Sequence, residues 1–325
     1  MIFDDVWAMI GNTPSIKVPE VKPATPWPVY VKLEGCNPTG SVKDRAAASM
    51  LRAALRDGSL SPGKTILDAS SGNMASSLAY FGKILGFPTR LVASSKLTSD
   101  KKSFITYYGA ELLQMGNFTI EGNIYCRELA AQSGSEFAFL DQLHNWNNPQ
   151  AHEDATGPEL LRDFSNLSVV IGSLGSGGTM YGVSKHLKAR APHVMTVTVE
   201  GAGGSRIPGV GAFVDNDYVT PFIQRGRDGG LFDRAVRVSR DEAFRSALAL
   251  RDAGIFAGPQ TGALYHAARS LIESGQAPPG QVVIISGDAG WKNLADLAPL
   301  GRPNAAEPAA RASRPRATLP QVVAE

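Results

Sequence analysis

Short apolar runs alternate with amphipathic, helix-like segments over most of this chain. The apolar runs are rich in β-branched and aliphatic residues and are bounded by Gly, Pro or Ser, which is typical of buried strands. They lie at residues 65–69, 90–93, 111–115, 168–171, 194–199 and 281–285. Helices are predicted at residues 42–56, 74–85, 99–108, 120–131, 178–190, 240–253 and 262–274, and Gly86 is expected to end the second. This alternation predicts an α/β fold in which a mostly parallel sheet is wrapped by helices.

Composition adds limits on the class of protein. The 325 residues are 43% hydrophobic and 19% charged, as in ordinary soluble globular proteins, and they are enough for two lobes. A formal net charge of +2 argues against a nucleic-acid binder, and no apolar run is long enough to span a membrane. The N-terminal residues lack the pattern of a secretory signal. Residues 301–325 are rich in Ala, Pro and Arg, and we expect this tail to be disordered.

Cysteine usage indicates a reducing compartment, and we expect a cytoplasmic protein. Cys36 and Cys126 are the only cysteines, and the sequence has no CxxC and no Cys/His cluster. The pattern therefore predicts no metal site. We interpret Cys36, which lies close to the lysine motif described next, as a small packing residue.

A lysine stands at the start of the first predicted helix. Residues 37–45 read NPTGSVKDR, so that Lys43 follows a turn rich in Pro and Gly. Ser41 is expected to be the N-cap, and Asp44 lies close to the position that completes a capping box. The positive end of the helix dipole disfavours an ammonium group and favours the neutral amine, which forms Schiff bases with carbonyl compounds. Taken alone, the stretch is equally compatible with an ordinary surface lysine.

Two polar turns follow predicted strands and open predicted helices. In an α/β sheet the carboxyl ends of the strands meet at a common crevice, where ligands bind. The turn Ser70-Ser71-Gly72-Asn73 offers hydroxyls, an amide and backbone N–H groups, which suit a carboxylate. A plain Ser/Asn helix cap explains it equally well.

The second polar turn, residues 173–179, reads SLGSGGT. Its closely spaced glycines let the backbone approach an anion, so a phosphate is expected at this helix start. It is neither a Walker loop nor a GxGxxG motif, and the bound phosphate need not belong to a nucleotide. A flexible Gly/Ser loop is the alternative. A further turn, residues 258–263, is better explained as a simple loop.

Together, a Schiff-base lysine, a carboxylate turn and a phosphate turn suggest pyridoxal phosphate. At this point the sequence resembles the cysteine synthase and cystathionine β-synthase family, the β-family (fold type II) of pyridoxal-phosphate enzymes. The likeness extends from about residue 10 to about residue 292. It is carried by NPTGSVKDR at 37–45, SGN at 71–73 and GSGGT at 175–179, with weaker matches at Gln142, at 145–152 and at 207–212.

The resemblance implies roles for individual residues. Lys43 would form the internal aldimine and shuttle the α-proton. Asn73 would bind the ring hydroxyl of the cofactor, and Gln260 would face its pyridine nitrogen. The cofactor phosphate would be held by Gly175, Ser176, Gly177, Gly178 and Thr179. The substrate would be bound by Ser70, Ser71, Gly72, Met74, Gln142 and Gly209.

The resemblance also implies an architecture. A large cofactor-binding lobe is expected from residues 1–38 plus 144–300, and a small, mobile, substrate-clamping lobe from residues 39–143. Each lobe would be a mostly parallel twisted sheet wrapped by helices. A homodimer is expected on the same ground.

The implied reaction is β-replacement on an activated L-serine, O-acetylserine or O-phosphoserine, through an aminoacrylate intermediate. The nucleophile would be a small molecule or the thiocarboxylate of a sulfur-carrier protein. The alternatives are an amino nucleophile giving a 2,3-diaminopropionate-type product, β-elimination as in a cysteine desulfhydrase, and a cofactor-binding module without turnover. The intact lysine and phosphate turn argue against the last.

Departures from the family pattern surround the substrate positions. Met74 replaces a frequent threonine, and Gln260 replaces the serine that usually faces the pyridine nitrogen, for which Thr261 is a substitute candidate. Residues 145–148, usually NPAN, read NWNN. Arg206 and Arg225 are candidates for recognising an acidic leaving group such as phosphate, with a solvated surface arginine as the alternative for each.

Overall fold

Ten strands are present within the part of the chain that the structure describes. The structure is a computed structural model, and it describes residues 2–19, 27–70, 72–95 and 97–301. The strands are β1 Ser15–Lys17, β2 Val29–Leu33, β3 Thr65–Ala69, β4 Thr89–Ala93, β5 Glu111–Gln114, β6 Phe137–Phe139, β7 Leu167–Ser173, β8 Met195–Gly201, β9 Arg234–Val238 and β10 Gln281–Ser286.

Helices separate most of these strands. They are α1 Lys43–Arg56, α2 Asn73–Leu85, α3 Ser99–Tyr107, α4 Thr119–Gln132, α5 Asn147–Ala151, α6 Gly157–Asp163, α7 Gly178–Arg190, α8 Pro221–Asp228, α9 Arg240–Asp252, α10 Pro259–Glu273 and α11 Leu294–Leu297. A π-helical segment, His152–Thr156, joins α5 to α6. Short 3-10 segments lie at Glu34–Cys36, Phe213–Asp215, Gly290–Asn293 and Ala298–Gly301. No helix among the described residues is long and apolar enough to cross a bilayer.

The strands form two sheets. One has six strands in the order β1-β2-β10-β7-β8-β9, and the other has four in the order β5-β4-β3-β6. Only β1 is antiparallel to its neighbour. The predicted α/β class with two mostly parallel sheets is thereby confirmed. The four-stranded sheet lies between residues 65 and 139, inside the range predicted for the small lobe. The lobe boundaries stay a prediction, and residues 302–325 of the predicted disordered tail lie outside the described residues.

Alternate residues of the strands face opposite layers of the core. In β3, Ile66 packs against α1 and α2, whereas its neighbour Leu67 packs against α4. In β7, Ile171 packs against the layer of α9 and α10, and Val170 packs against α6 and α7. Because side chains alternate along a strand, each sheet needs helices on both faces, and this leaves the carboxyl ends of the strands as the open edge.

A buried ionic network ties α1 to the six-stranded sheet and to α6. The guanidinium of Arg45 donates to both carboxylate oxygens of Glu34 (2.7 and 2.9 Å) and of Glu159 (2.7 and 2.8 Å). Lys32 lies 2.7 Å from the Glu159 carboxylate. All four side chains are almost inaccessible to solvent. Two positive and two negative charges compensate one another, so the start of α1 is held in place without a net buried charge.

Candidate active site

Lys43 is the first residue of α1, and its side chain is partly buried. Its Nζ forms no hydrogen bond or ion pair with the residues that the structure describes. Burial lowers the pKa of this amine to about 8, and the nearby carboxylate of Asp288 opposes that fall. A substantial neutral fraction therefore exists near neutral pH, as a nucleophilic amine requires.

The cap of α1 differs from the prediction. The N-cap residue is Val42, in a helical conformation, and Ser41 instead forms an isolated β-bridge with Asp288. The predicted Ser41 cap is therefore wrong. The Asp44 carboxylate accepts from the N–H (2.7 Å) and the hydroxyl (2.6 Å) of Thr39, so the carboxylate closes the turn before Lys43. Pairing of the chain with the end of β10 displaced Ser41 from the cap position, and no local pattern reports such pairing.

The turn after β3 places Asn73 at the start of α2. The Asn73 Nδ2 donates to the Asp288 carboxylate at 3.0 Å, while its Oδ1 is buried without a partner among the described residues. Ser70 is buried, and its hydroxyl accepts from the Gly72 N–H at 3.3 Å. Ser71 lies outside the described residues. A buried acceptor without a donor is costly, so the Asn73 oxygen marks a site for a ligand hydroxyl or amine.

The turn after β7 presents unused backbone donors at the start of α7. The N–H groups of Gly175, Ser176, Gly177 and Thr179 donate to no other described residue. They lie at the N-terminus of a 13-residue helix, where the dipole also favours an anion. The predicted phosphate turn thus has the donor arrangement that a phosphate needs.

Two glycines of this turn cannot carry side chains. Gly177 has φ of +85°, and a Cβ there would overlap Ile223. A Cβ on Gly178 would overlap Asn148 Oδ1, a buried oxygen that also lacks a partner among the described residues. Thr220 Oγ1 donates to the Ser176 carbonyl at 2.6 Å. Neighbouring elements therefore fix the shape of the turn from several sides.

A buried histidine connects the phosphate turn with Lys43. His152 Nε2 lies 3.2 Å from Thr179 Oγ1, and its Nδ1 lies 2.9 Å from Thr156 Oγ1. Burial, and then the charges of Arg45 and Lys43, hold the pKa of His152 well below its usual value. The imidazole is therefore neutral at physiological pH, and it contacts the phosphate turn while being acted on by the charge of Lys43.

Gln260 is linked to the start of α1 through the backbone of Gly287. Its Oε1 accepts from the Gly287 N–H at 2.9 Å, and the Gly287 carbonyl accepts from the Val42 N–H at 2.9 Å. Its Nε2 donates to Ser173 Oγ at 2.8 Å. The substitute candidate Thr261 is fully buried and pairs with Ser286 Oγ at 2.8 Å. Contact of Gln260 with a pyridine nitrogen stays a prediction.

Residues 258–263 are not a plain loop, and that prediction is wrong. Helix α10 begins at Pro259, which is at the first helical position, and so Gln260 lies in the first turn of the helix. Proline is common there because its missing N–H is not needed and its φ is already helical.

The other predicted substrate residues lie near strand ends of both sheets. Gln142 is buried, and its Nε2 donates to the Ala69 carbonyl at the end of β3 (2.7 Å). The Gly209 carbonyl accepts from Ser173 Oγ at 3.2 Å. Met74 is 1% exposed and packs in the apolar cluster of the four-stranded sheet. Contact of these residues with a substrate stays a prediction.

Asp288 is the residue of this site that sequence reasoning missed. It lies two residues after the end of β10, much as the two polar turns follow β3 and β7. Its carboxylate is buried, accepts from Asn73 and Asn293, and lies close to Lys43. The position after a buried strand was a signal that could have found it.

The two arginine candidates are engaged elsewhere. Arg206 is exposed, pairs with Asp217, and lies 5.6 Å from the ring centre of Phe118, the N-cap of α4. Arg225 lies 5.2 Å from the ring centre of Trp146. Arg225 and Trp146 line a surface cavity of about 570 Å³, which none of the cofactor-binding candidates lines. Neither contact favours a phosphate-recognising arginine.

Comparisons with known proteins agree with this geometry. The family described as "Pyridoxal-phosphate dependent enzyme" matches residues 6–288. Cysteine synthase B of Pseudomonas aeruginosa is 36% identical over 257 residues, covering 78% of this chain and 84% of that protein. The crystal structure of O-ureido-L-serine synthase is similar with a TM-score of 0.83 and 29% identity, covering 94% of this chain and 97% of that one. A hydrogen sulfide-producing enzyme from Fusobacterium nucleatum has a TM-score of 0.82 and 28% identity, covering 90% and 99%.

Proposed function

The chain belongs to the family of pyridoxal-phosphate dependent enzymes, and we propose that it catalyses β-replacement on an activated L-serine, in the manner of a cysteine synthase. The observation that carries this proposal is the Lys43 amine. It is partly buried, has a pKa of about 8, lacks a partner among the described residues, and acts electrostatically on His152, which contacts the phosphate-type turn. The relatives named above support an amino acid as the substrate.

The residues present fit pyridoxal phosphate. The turn from Gly175 to Thr179 offers free N–H donors at a helix N-terminus, as a phosphate monoester requires. The partnerless Oδ1 of Asn73 offers an acceptor for the ring hydroxyl. The Lys43 amine is available for a Schiff base. An anion site, an acceptor and an amine match the phosphate, the ring hydroxyl and the aldehyde of this cofactor.

The protein holds and orients these groups, while the cofactor supplies an electron sink for the charge that develops at the substrate Cα. The turn at 175–179 binds the phosphate, and Asn73 fixes the orientation of the ring. Ser70 and Gln142 lie at the end of β3, where we propose that the substrate carboxylate binds at the start of α2. Ser71 and Gly72 complete this turn in the sequence.

Lys43 moves the proton. Its neutral amine accepts the proton of the substrate Cα, the Cβ–O bond breaks, and acetate or phosphate leaves with the bonding electron pair. A nucleophile then adds at Cβ, and the Lys43 ammonium returns the proton to Cα. A pKa of about 8 suits both directions, because the group must accept and donate at neutral pH.

We further propose that residues 39–143 close over the substrate and exclude water. The four-stranded sheet and α1 to α4 fall inside this range, and the carboxylate turn belongs to it. Closure of that kind protects a reactive species from hydrolysis.

The test is a substrate screen on the purified protein loaded with pyridoxal phosphate. O-acetylserine and O-phosphoserine are each offered with sulfide, a thiocarboxylate or an amine, and the amino-acid products are identified by mass spectrometry. We expect acetate or phosphate release in step with a new β-substituted alanine, and no turnover by Lys43→Ala. Absence of any product in every combination would refute the proposal.

β-Elimination is a second candidate function, favoured by the similarity to the hydrogen sulfide-producing enzyme. Cysteine would then yield sulfide, pyruvate and ammonia. Measuring pyruvate in the same screen separates the two, because replacement preserves the amino acid and elimination destroys it.

A further inference from the structure

Asp288 is fastened to the segment that precedes Lys43. The Ala289 N–H donates to the Gly40 carbonyl at 3.0 Å, and Asp288 itself forms a β-bridge with Ser41. Its side chain is buried and accepts from Asn73 Nδ2 at 3.0 Å. Backbone and side chain together therefore hold this carboxylate between the two residues proposed to contact the cofactor.

Three neighbouring groups among the described residues are either neutral or engaged with other partners. His152 is neutral, Arg45 is paired with Glu34 and Glu159, and Asp44 is bonded to Thr39 and Ser77. Burial disfavours the Lys43 ammonium, and Asp288 is the group whose charge favours it. An ammonium in a buried site needs such a counter-ion.

The same carboxylate faces a second buried lysine. Lys292 donates to the Thr39 carbonyl at 2.7 Å, and its side chain lies close to Asp288, Asp44 and Lys101. Burial lowers its pKa to about 8, and Asp288 opposes that fall, as it does for Lys43. One carboxylate thus opposes the fall in pKa that burial causes for two amines.

We propose that Asp288 is a positioning residue that keeps the Lys43 amine protonated between its two proton transfers, and that Lys292 competes with Lys43 for this carboxylate. This inference rests on the role proposed above for Lys43. Lys43 must carry the α-proton while the leaving group departs and the nucleophile enters. Without Asp288, burial makes the ammonium a stronger acid, and the proton is lost before it can be returned.

The test measures the proton affinity of Lys43 without using catalysis. Full-length protein is freed of cofactor, and its folding is checked by return of the visible absorbance when pyridoxal phosphate is added back. Trace acetylation is then followed from pH 6 to 10, with the peptide containing Lys43 quantified by mass spectrometry. The variants are Asp288→Asn and Lys292→Gln. Asp57→Asn, which removes an equal charge at the far end of α1, is the matched control.

We expect opposite shifts. Loss of an adjacent carboxylate lowers the pKa of an amine by about one unit or more. From a starting pKa of about 8, that shift raises acetylation of Lys43 at pH 7 about fivefold. Lys292→Gln frees the carboxylate for Lys43, so acetylation at pH 7 falls, and Asp57→Asn changes nothing. A general disturbance of the fold would not move the two variants in opposite directions.

An unchanged or reduced acetylation of Lys43 in Asp288→Asn would overturn the role of Asp288, and an increase in Lys292→Gln would overturn the competition. If Asp288→Asn does not regain the visible absorbance, Asp288→Ser removes the same charge with less bulk and the same shift is expected. Should the cofactor bind to Lys43 normally while Asp288→Asn shows no shift, only this inference fails and the proposed function stands.

Discussion

The Glu159→Gln substitution should destabilise the protein strongly at neutral pH. Glu159 accepts two hydrogen bonds from Arg45, pairs with Lys32 at 2.7 Å and accepts from the Asn12 N–H at 2.9 Å. A glutamine has the same size but no charge. The change therefore leaves two buried cations, Lys32 and Arg45, in a network whose remaining carboxylate is Glu34.

The pKa of Glu159 gives the magnitude. Burial alone raises this pKa, but hydrogen bonds and charge from Arg45 and then Lys32 outweigh it and lower the pKa from 4.5 to about 2. The shift of about 2.5 units corresponds to about 3 kcal/mol favouring the ionised form in the folded state. Because the folded pKa is the lower one, this stability is fully present above about pH 5 and is lost as the pH falls through about 2.

Urea titrations from pH 3 to 7 test the reasoning. We expect Glu159→Gln to lower the free energy of unfolding by about 3 kcal/mol at pH 7 and by progressively less as the pH falls. The control is Glu273→Gln, which removes an exposed pair with Arg269 on α10 and should cost less than about 0.5 kcal/mol. A loss below about 1 kcal/mol at pH 7, or a loss that does not depend on pH, would refute the account.

Two further predictions concern the site. Gly178→Ala should weaken binding of pyridoxal phosphate about tenfold, because the new methyl group displaces the Asn148 side chain. The control Gly203→Ala should not weaken it, because a methyl group there meets no atom closer than 3.9 Å. Absorbance titration measures both affinities, and equal values would contradict the crowding argument. Arg206→Ala should leave the ratio of the rates with O-phosphoserine and O-acetylserine unchanged, because this guanidinium already pairs with Asp217. A loss of rate with O-phosphoserine alone would show that Arg206 recognises the leaving group.

Local pattern predicted six of the ten described strands, including the edge strand β5, and missed β1, β2, β6 and β9. The interval 65–69 was predicted residue for residue, because three of its five residues, Ile66, Leu67 and Ala69, are apolar and fully buried. In contrast β2 carries Lys32, a charged residue with no solvent exposure. Its burial depends on Glu159, far away in the sequence, so hydropathy does not report it. The edge strand β9 carries Arg234 and Arg237 and reads as polar for a different reason, because only Val238 of its five residues is buried.

The site could be predicted where a local motif carries the chemistry. Lys43, Asn73 and the turn at 175–179 all lie at helix starts after predicted turns. The Ser41 cap failed and Asp288 was missed because both depend on contact between the start of α1 and the end of β10. Pairing over such a separation leaves no periodic signal in the chain.

The central claim is that Lys43 anchors the cofactor. Lys292 is the informative competitor, because it is also buried, lies near the same carboxylate and has a similar pKa of about 8. Borohydride reduction of the cofactor-loaded protein makes a lysine–cofactor link permanent, and peptide mass spectrometry then locates it. We predict the added mass on the peptide containing Lys43 and on no other. Its appearance on Lys292, or on no lysine at all, would contradict the account.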